Sequence, residues 1–287
     1  MPELPEVQTI VTDLNSRILN KKIKKVEVRL KKIVKNPTKS FIQDLQKSTF
    51  KNIRRRGKLL IFELSVKNKY LLIHLKMTGQ LIYCKNNKIT VGGHGMSKDM
   101  GELPSKYTHV IFMFSDGSKL FYNDLRRFGY LHIVDDKKLE KILEKFGIEP
   151  LDKDFTLKKF KSLIENKKMN IKAFLLNQKF IAGIGNIYAD ETLFDAGILP
   201  NRSANSLKEV EVKKLYKAIK KVLKKAVQYR GTTFNDYLDA DGNKGSFLKF
   251  LKVYHREGKK CLRCNKEKIK KIKVAGRGTR YCEKCQK

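Results

Sequence analysis

Apolar positions along this chain change period once, near residue 135, and that change divides it. Near the start, "VQTIVTDLNSRILN" (residues 7–20) carries Val7, Ile10, Val11, Leu14 and Ile18 at the spacing of one helical face. Five stretches then alternate or run apolar: "IKKVEVRL", "FKNIRRRGKLLIFEL", "KYLLIHLKMTGQLIYC", "THVIFMFSDGSKLFYND" and "RFGYLHIV". Their β-branched and aromatic content predicts strands. Asp116-Gly117 within "SDGS" predicts a hairpin turn. "VGGHG" (residues 91–95) lacks the lysine and hydroxyl residue of a phosphate-binding loop, and is read as a flexible loop. A leading helix followed by short strands implies a β-sandwich or barrel.

Beyond residue 135 the period becomes helical. "DDKKLEKILEKFG" predicts a short helix ending at Gly147, and "TLKKFKSLIENKK", "NIKAFLLNQKF", "GNIYADETLFDAG" and "SLKEVEVKKLYKAIKKVLKKAVQYRG" predict four more. Periodicity fades after Gly231, and a cysteine-bearing tail follows. The expected class is α+β: a β-sandwich over 1–134, a linker over 135–151, a helical domain over 152–234, an irregular segment over 235–256 and a metal module over 257–287.

Composition sharpens this picture. An apolar fraction of 41% in 287 residues supports a packed core. The formal charge of +35 points to a polyanionic partner and a steep salt dependence of binding. Lysines fall on every segment, so general decoration of the surface explains part of the excess. No apolar run reaches the roughly 18 residues of a membrane span. The first residues are acids and prolines where an export signal carries basic and apolar ones. A cytoplasmic, nucleoid-associated protein with no membrane partner is expected.

Cys84 stands alone, a small hydrophobe in a strand. Cys261-x2-Cys264 and Cys282-x2-Cys285 are separated by 17 residues, the spacing of a closed tetrahedral zinc site. An intracellular chain disfavours the alternative of disulfides. Four thiolates leave no open position, so the expected metal is one structural zinc. "AGRGTR" between the pairs presents Arg277 near a hairpin tip, either to a phosphate or as an ordinary charged turn. "NQKFIAGIGNIYADETLF" predicts a helix ending near Lys179, a turn with Gly183 and Gly185, and a new helix from Asn186. Its free N–H groups would suit an anion. At "MPELPEV", loss of Met1 would expose Pro2 as a secondary amine beside Glu3, a nucleophile with a proton-transfer partner. On the residues alone, a stiff passive terminus is the simpler reading.

"MPELPEV", "RRGKLL", "HLKMTG", "DLRRFG", "AGIGNIYADE", "DADGNKGSF" and "GRGTRYCEKCQ" together resemble formamidopyrimidine-DNA glycosylase, in order across essentially the whole chain. The resemblance implies a helix-two-turn-helix domain and a β-hairpin zinc finger. It implies a monomer that removes 8-oxoguanine and formamidopyrimidines from duplex DNA, then nicks the strand by β,δ-elimination at the abasic site. By that resemblance Pro2 is the nucleophile, Glu3 the general acid/base, and Lys58 the lysine that assists near the lesion. His74, Asn186 and Arg277 match phosphate contacts. Met77, Arg126 and Phe128 match the residues that fill the vacated stack, with Arg126 also on the orphaned base. For Met77 or Phe128 alone, core packing is the simpler reading. Asp239, Gly242, Gly245 and Phe247 fall in the loop that caps the flipped base.

Lys76 departs from the small residue common in that motif, which leaves its loop geometry open, and Thr78 is a second variable position. Glu6 is read as a supporting carboxylate, and His94, His109, His132 and His255 as surface or satisfied core. Three rivals stand beside this reading. The sister family, endonuclease VIII, acts on oxidised pyrimidines, but usually has glycine where Leu4 stands. A non-catalytic DNA-binding relative would lack Pro2 or Glu3. A basic zinc-ribbon protein that binds RNA fits the composition alone.

Overall fold

The structure is a computed structural model that describes residues 1–86, 88–93, 103–232 and 247–287. The chain divides into two compact units: Met1–Glu144 with Arg230–Ser246, and Lys145–Tyr229 with Phe247–Lys287.

The first unit opens with helix α1 (Leu4–Ile18), which begins one turn earlier than its apolar period predicts. Pro5 is tolerated in that first turn because an N–H there has no intrahelical partner anyway. Strand β1 (Ile23–Val28), helix α2 (Thr38–Leu45), then β2 (Phe50–Arg56) and β3 (Leu59–Leu64) follow. Next come β4 (Tyr70–His74), β5 (Gly79–Lys85), β6 (Lys88–Gly93), β7 (Thr108–Phe114), β8 (Lys119–Asp124) and β9 (Tyr130–Val134). Two predicted strand stretches are thus each broken by a turn, at Gly57 and at residues 75–78. Part of the predicted flexible loop, Val91–Gly93, belongs instead to β6, which pairs with β5; His94 and Gly95 lie outside the described residues. Helix α2 was not predicted: only Phe41 and Leu45 of its eight residues are buried, too few to show a period.

Neighbouring strands pair antiparallel in a five-stranded sheet ordered β1-β7-β8-β5-β6 and a four-stranded sheet ordered β2-β3-β4-β9. The two sheets and α1 share one apolar core. At its centre Phe50 is fully buried. Its ring lies 5.1 Å from Phe62 in its own sheet, and 6.2 and 6.4 Å from Phe112 and Phe114 in the other. This is the expected sandwich. Helix α3 (Asp136–Leu143), capped by Asp135 accepting the Lys138 N–H at 2.8 Å, falls in the first unit.

The second unit is helical. Thr156 caps α4 (Leu157–Ile164), and Asn170 caps α5 (Ile171–Leu176) by accepting the Ala173 N–H at 2.7 Å. Helix α5 stops at Leu176, short of the predicted Lys179, because Asn177 turns extended. Helix α6 (Asn186–Ala196) starts where predicted, is buried from Ile187 to Phe194, and ends at left-handed Gly197 (φ 75°). Helix α7 (Glu209–Gln228) packs its apolar face, including Leu215, Ile219 and Leu223, into the same core. Strands β10 (Lys270–Val274) and β11 (Arg277–Tyr281) form the terminal hairpin. Among the described residues no helix is long and apolar enough to cross a membrane.

Candidate active site and nucleic-acid interface

In the first unit the start of α1 is a buried polar nest. Glu3 is 3% exposed, and its N–H donates to Glu6 Oε2 at 2.8 Å. Glu6 Oε1 accepts the Thr232 N–H at 2.7 Å and the Thr232 hydroxyl at 3.1 Å. Between them Gly231 holds φ +80°, and a Cβ there would stand 2.5 Å from Glu6 Oε1. Arg230 grips both Asp13 oxygens at 2.7 Å. Glu6 and Asp13 therefore tie residues 230–232 to the helix that carries the chain terminus. Nothing local in the sequence signals this, because the partners are more than 200 positions apart.

The terminal amine shows what surrounds it. Burial lowers its pKa below the usual 8.0, Glu3 and Glu6 pull it back up, and Lys58 pushes it down. Lys58, 6% exposed, follows left-handed Gly57 (φ 55°) in the β2–β3 turn. The structure thus gathers the terminus, two carboxylates and one ammonium in a single electrostatic neighbourhood.

His74 closes β4, and burial, helped by the charges of Lys76 and Lys58, lowers its pKa to about 3. The ring is neutral at physiological pH. Its Nδ1 accepts the Lys76 N–H at 3.0 Å, which leaves the proton on Nε2 as a donor. Lys76 itself holds φ 50°, so the lysine in place of a small residue occupies a left-handed position. Met77, next in the turn, is half-buried. On the β8–β9 turn Arg126 and Phe128 are exposed, and the guanidinium stacks 4.5 Å from the ring centre. Phe128 is 54% exposed, which excludes core packing for it.

In the second unit Asn186 opens α6 with Gly185 as its cap, and donates through Nδ2 to the Gly278 carbonyl at 3.1 Å. The preceding turn is stapled by Gln178. Its Oε1 accepts the Gly183 N–H at 2.8 Å, and its Nε2 donates to the Leu176 and Ile184 carbonyls at 2.9 and 2.8 Å. Gly278 also faces Lys172, which is fully buried. The Lys172 Nζ donates to Asp190 Oδ1 at 2.6 Å and to the Thr279 hydroxyl at 2.7 Å, and Asp190 Oδ2 accepts the Arg280 N–H at 2.9 Å. Helix α6 and the hairpin are thus locked by a buried ion pair that the sequence did not reveal. Arg277 begins β11 and is exposed; the tip itself is Ala275–Gly276, both at positive φ, not the glycine-flanked arginine that was expected.

Of the residues expected in the capping loop, Asp239, Gly242 and Gly245 lie outside the described residues. Phe247 does not belong to an open loop: it is 3% exposed, packed in the helical core with its ring 5.8 Å from Tyr188.

The four tail cysteines converge. Cys261 Sγ lies 3.8 Å from Cys285 Sγ, Cys264 Sγ lies 3.8 Å from Cys282 Sγ, and all four sulfurs fall within 4.8 Å. A disulfide would require about 2.05 Å. A tetrahedron of Zn–S bonds of about 2.3 Å has an edge of about 3.8 Å, which this geometry matches.

A basic protein with a four-cysteine metal site, and with carboxylates and a lysine gathered at its amino terminus, is the class these features define. Comparison with known proteins is then specific. The N-terminal domain of formamidopyrimidine-DNA glycosylase matches residues 1–131, its H2TH domain 146–237, and the zinc finger found in FPG and IleRS 258–287. The formamidopyrimidine-DNA glycosylase of Carboxydothermus hydrogenoformans is 43% identical over the full length of both chains. That of Pelotomaculum thermopropionicum is 41% identical over 100% of this chain and 99% of its own. Wild-type Lactococcus lactis Fpg, solved with DNA containing N7-benzyl-Fapy-dG, has a TM-score of 0.88 at 34% identity, with full coverage of both chains. The same enzyme, solved with abasic-site DNA, has a TM-score of 0.87 at 33% identity over 99% of each chain. The chain belongs to the formamidopyrimidine-DNA glycosylase family, and its four cysteines form the site of one structural zinc.

Proposed function

We propose that the protein is a bifunctional glycosylase and abasic-site lyase that excises oxidised purines, 8-oxoguanine and formamidopyrimidines, from duplex DNA. The carrying observation is the terminal neighbourhood itself, where Glu3, Glu6 and Lys58 all act on the amine at the chain start. With Met1 removed, the terminal amine becomes the Pro2 nitrogen, one residue further along the chain and next to Glu3. Its lone pair attacks C1′ as the C1′–N9 bond breaks, and the leaving base takes the bonding electrons and a proton. Glu3 moves the proton released by the amine and the one that opens the sugar ring at O4′. The resulting iminium draws electrons from C2′, which loses a proton as the C3′–O bond breaks. A second elimination releases the 5′ side.

Lys58 holds the phosphate beside the lesion. Neutral His74 donates through Nε2 to a phosphate oxygen, as do Asn186 at the start of α6 and, bidentately, Arg277. Met77 and Phe128 occupy the vacated stack, and Arg126 pairs with the orphaned base. Asp239, Gly242 and Gly245 belong to a segment that caps the extruded base. The zinc, bound to four cysteines, is structural and takes no part in the chemistry. Chromosomal duplex as substrate sets the place of work in the cytoplasm, at the nucleoid, with one protomer at each lesion.

Borohydride reduction during reaction with an 8-oxoguanine duplex tests this. The expected result is a covalent adduct mapping to Pro2 and greatly reduced in Pro2→Gly. An adduct on an internal lysine would overturn the mechanism. Faster release from oxidised-pyrimidine duplexes would instead favour the endonuclease VIII reading.

A further inference from the structure

The β4–β5 and β8–β9 turns are distant in sequence, yet one carboxylate holds both. Asp124, at the end of β8, is fully buried. Its Oδ1 accepts the Thr78 hydroxyl at 2.5 Å, and its Oδ2 accepts the Gly129 N–H at 2.7 Å. Its carbonyl meets His109 Nε2 at 2.8 Å; a carbonyl only accepts, so His109 is the donor. A hydroxyl has one hydrogen. Having given it to Asp124, Thr78 Oγ1 accepts the Arg126 N–H at 2.9 Å. A relay therefore runs from Arg126 N–H through Thr78 to Asp124.

Its two ends flank the side chains assigned to the vacated stack: Met77 precedes Thr78, while Arg126 and Phe128 lie between Asp124 and Gly129. The return of the second turn is equally constrained, since a Cβ on Gly129 would stand 1.9 Å from the Tyr122 hydroxyl.

We propose that Thr78 and Asp124 are positioning residues that set Met77 on one turn in register with Arg126 and Phe128 on the other, and thereby set how the opposite base is read. The inference rests on the functional reading above. A hydroxyl is required because the group must donate and accept at once, and an ionised carboxylate supplies only acceptance. Serine can do the same work. Valine, of equal shape, removes both bonds, the one from the Arg126 N–H and the one to Asp124 Oδ1.

The test uses the full-length, zinc-loaded chain and its Thr78→Val and Thr78→Ser variants. Single-turnover excision is measured for 8-oxoguanine opposite cytosine and opposite adenine, with 2-aminopurine fluorescence beside the lesion reporting insertion. Thr78→Val is expected to slow insertion and cytosine-paired excision by about tenfold, a factor equivalent to about 1.4 kcal/mol. It is also expected to narrow the cytosine-to-adenine ratio, and Thr78→Ser to restore both. A merely structural role would slow both pairs alike and lower Tm without moving the ratio. An unchanged ratio in Thr78→Val overturns the proposal alone. If the unmutated chain releases no base from either duplex, the functional reading fails, and the proposal with it.

Discussion

Replacing Lys172 with methionine removes one partner of a buried ion pair while keeping most of its volume. Both partners are fully buried, and the ammonium reaches Asp190 Oδ1 at 2.6 Å and Thr279 Oγ1 at 2.7 Å. The variant leaves Asp190 with the Arg280 N–H at 2.9 Å. Breaking such a pair costs about 3–5 kcal/mol, because the remaining charge is buried without compensation. Protonation of Asp190 limits that cost. Burial already raises its pKa to about 6 against the pull of Lys172, and without the lysine it rises further. A carboxyl whose folded pKa is raised contributes stability that is present below its unfolded pKa and lost as pH rises through the folded one. The deficit of Lys172→Met is therefore expected to widen between pH 5.5 and 8. Urea unfolding of the zinc-loaded protein, followed by the helical signal, measures it at each pH. Adding Asp190→Asn removes the second charge and retains an acceptor for Arg280, so the double variant should be more stable than Lys172→Met at pH 8, with a coupling of about 0.5–3 kcal/mol. A loss below about 1 kcal/mol that is flat with pH would refute the account of this cluster.

The remaining predictions concern other parts of the molecule. His74 has its folded pKa depressed from 6.5 to about 3, so its contribution to stability is present above 6.5 and lost as pH falls towards 3. Acid unfolding should steepen by about 1.4 kcal/mol per pH unit below 6, and His74→Gln should remove that steepening. His74→Gln should leave the pH dependence of DNA affinity between 6.5 and 8 unchanged, and a changed dependence in that window would contradict the neutral donor. Gly231→Ala places a Cβ 2.5 Å from Glu6 Oε1 at φ +80°; it should destabilise by about 1–3 kcal/mol, measured by thermal unfolding, and slow excision. Cys282→Ser should abolish stoichiometric zinc by metal analysis and loosen the apolar cluster of Phe194, Val253 and Ile269 around it, and full zinc retention would exclude Cys282 as a ligand. Phe50→Ala should cost about 3–5 kcal/mol in denaturant unfolding, because its ring bridges both sheets.

Periodicity and cysteine spacing are local signals, and they carried the sandwich, the helical unit and the metal site. Helix α2 escaped because its apolar residues, Phe41, Ile42 and Leu45, span little more than one turn, and β6 because "VGGHG" reads as loop chemistry although Val91–Gly93 pair with β5. Helix α6 was read as an amphipathic helix, but it is buried on both faces from Ile187 to Phe194. The site divided along the same line. The paired cysteines were legible from their spacing, whereas Pro2 and Glu3 stood out only through the resemblance, and the groups packed around them were not legible at all. Glu6 finds Thr232, Thr78 finds Asp124, and Lys172 finds Thr279, at separations of 226, 46 and 107 positions. A buried lysine and a surface lysine look alike in a chain with 64 basic residues.

Those hidden partners follow one physical logic. Met77, Arg126 and Phe128 stand on turns, and a short turn has little apolar face with which to pack itself in place. The turns at the assigned contacts are also strained: Lys76 holds φ 50°, Arg127 φ 57° and Ala275 φ 50°, left-handed values that cost a non-glycine residue about 1–2 kcal/mol each. Something must outweigh that cost, and in each case it is a polar group beneath the turn. The Lys76 N–H is held by His74, the Arg126–Phe128 turn by Asp124, and the strand that leaves the Ala275 tip by Lys172 and Asp190. A hydrogen bond in a low-dielectric interior is directional where apolar packing is not, and an unpaired partner there is expensive. Disrupting such a node should therefore disturb the placement of the contact above it by more than its loss of global stability suggests, whereas Phe50→Ala should weaken the whole unit and leave the relative placement of its contacts intact.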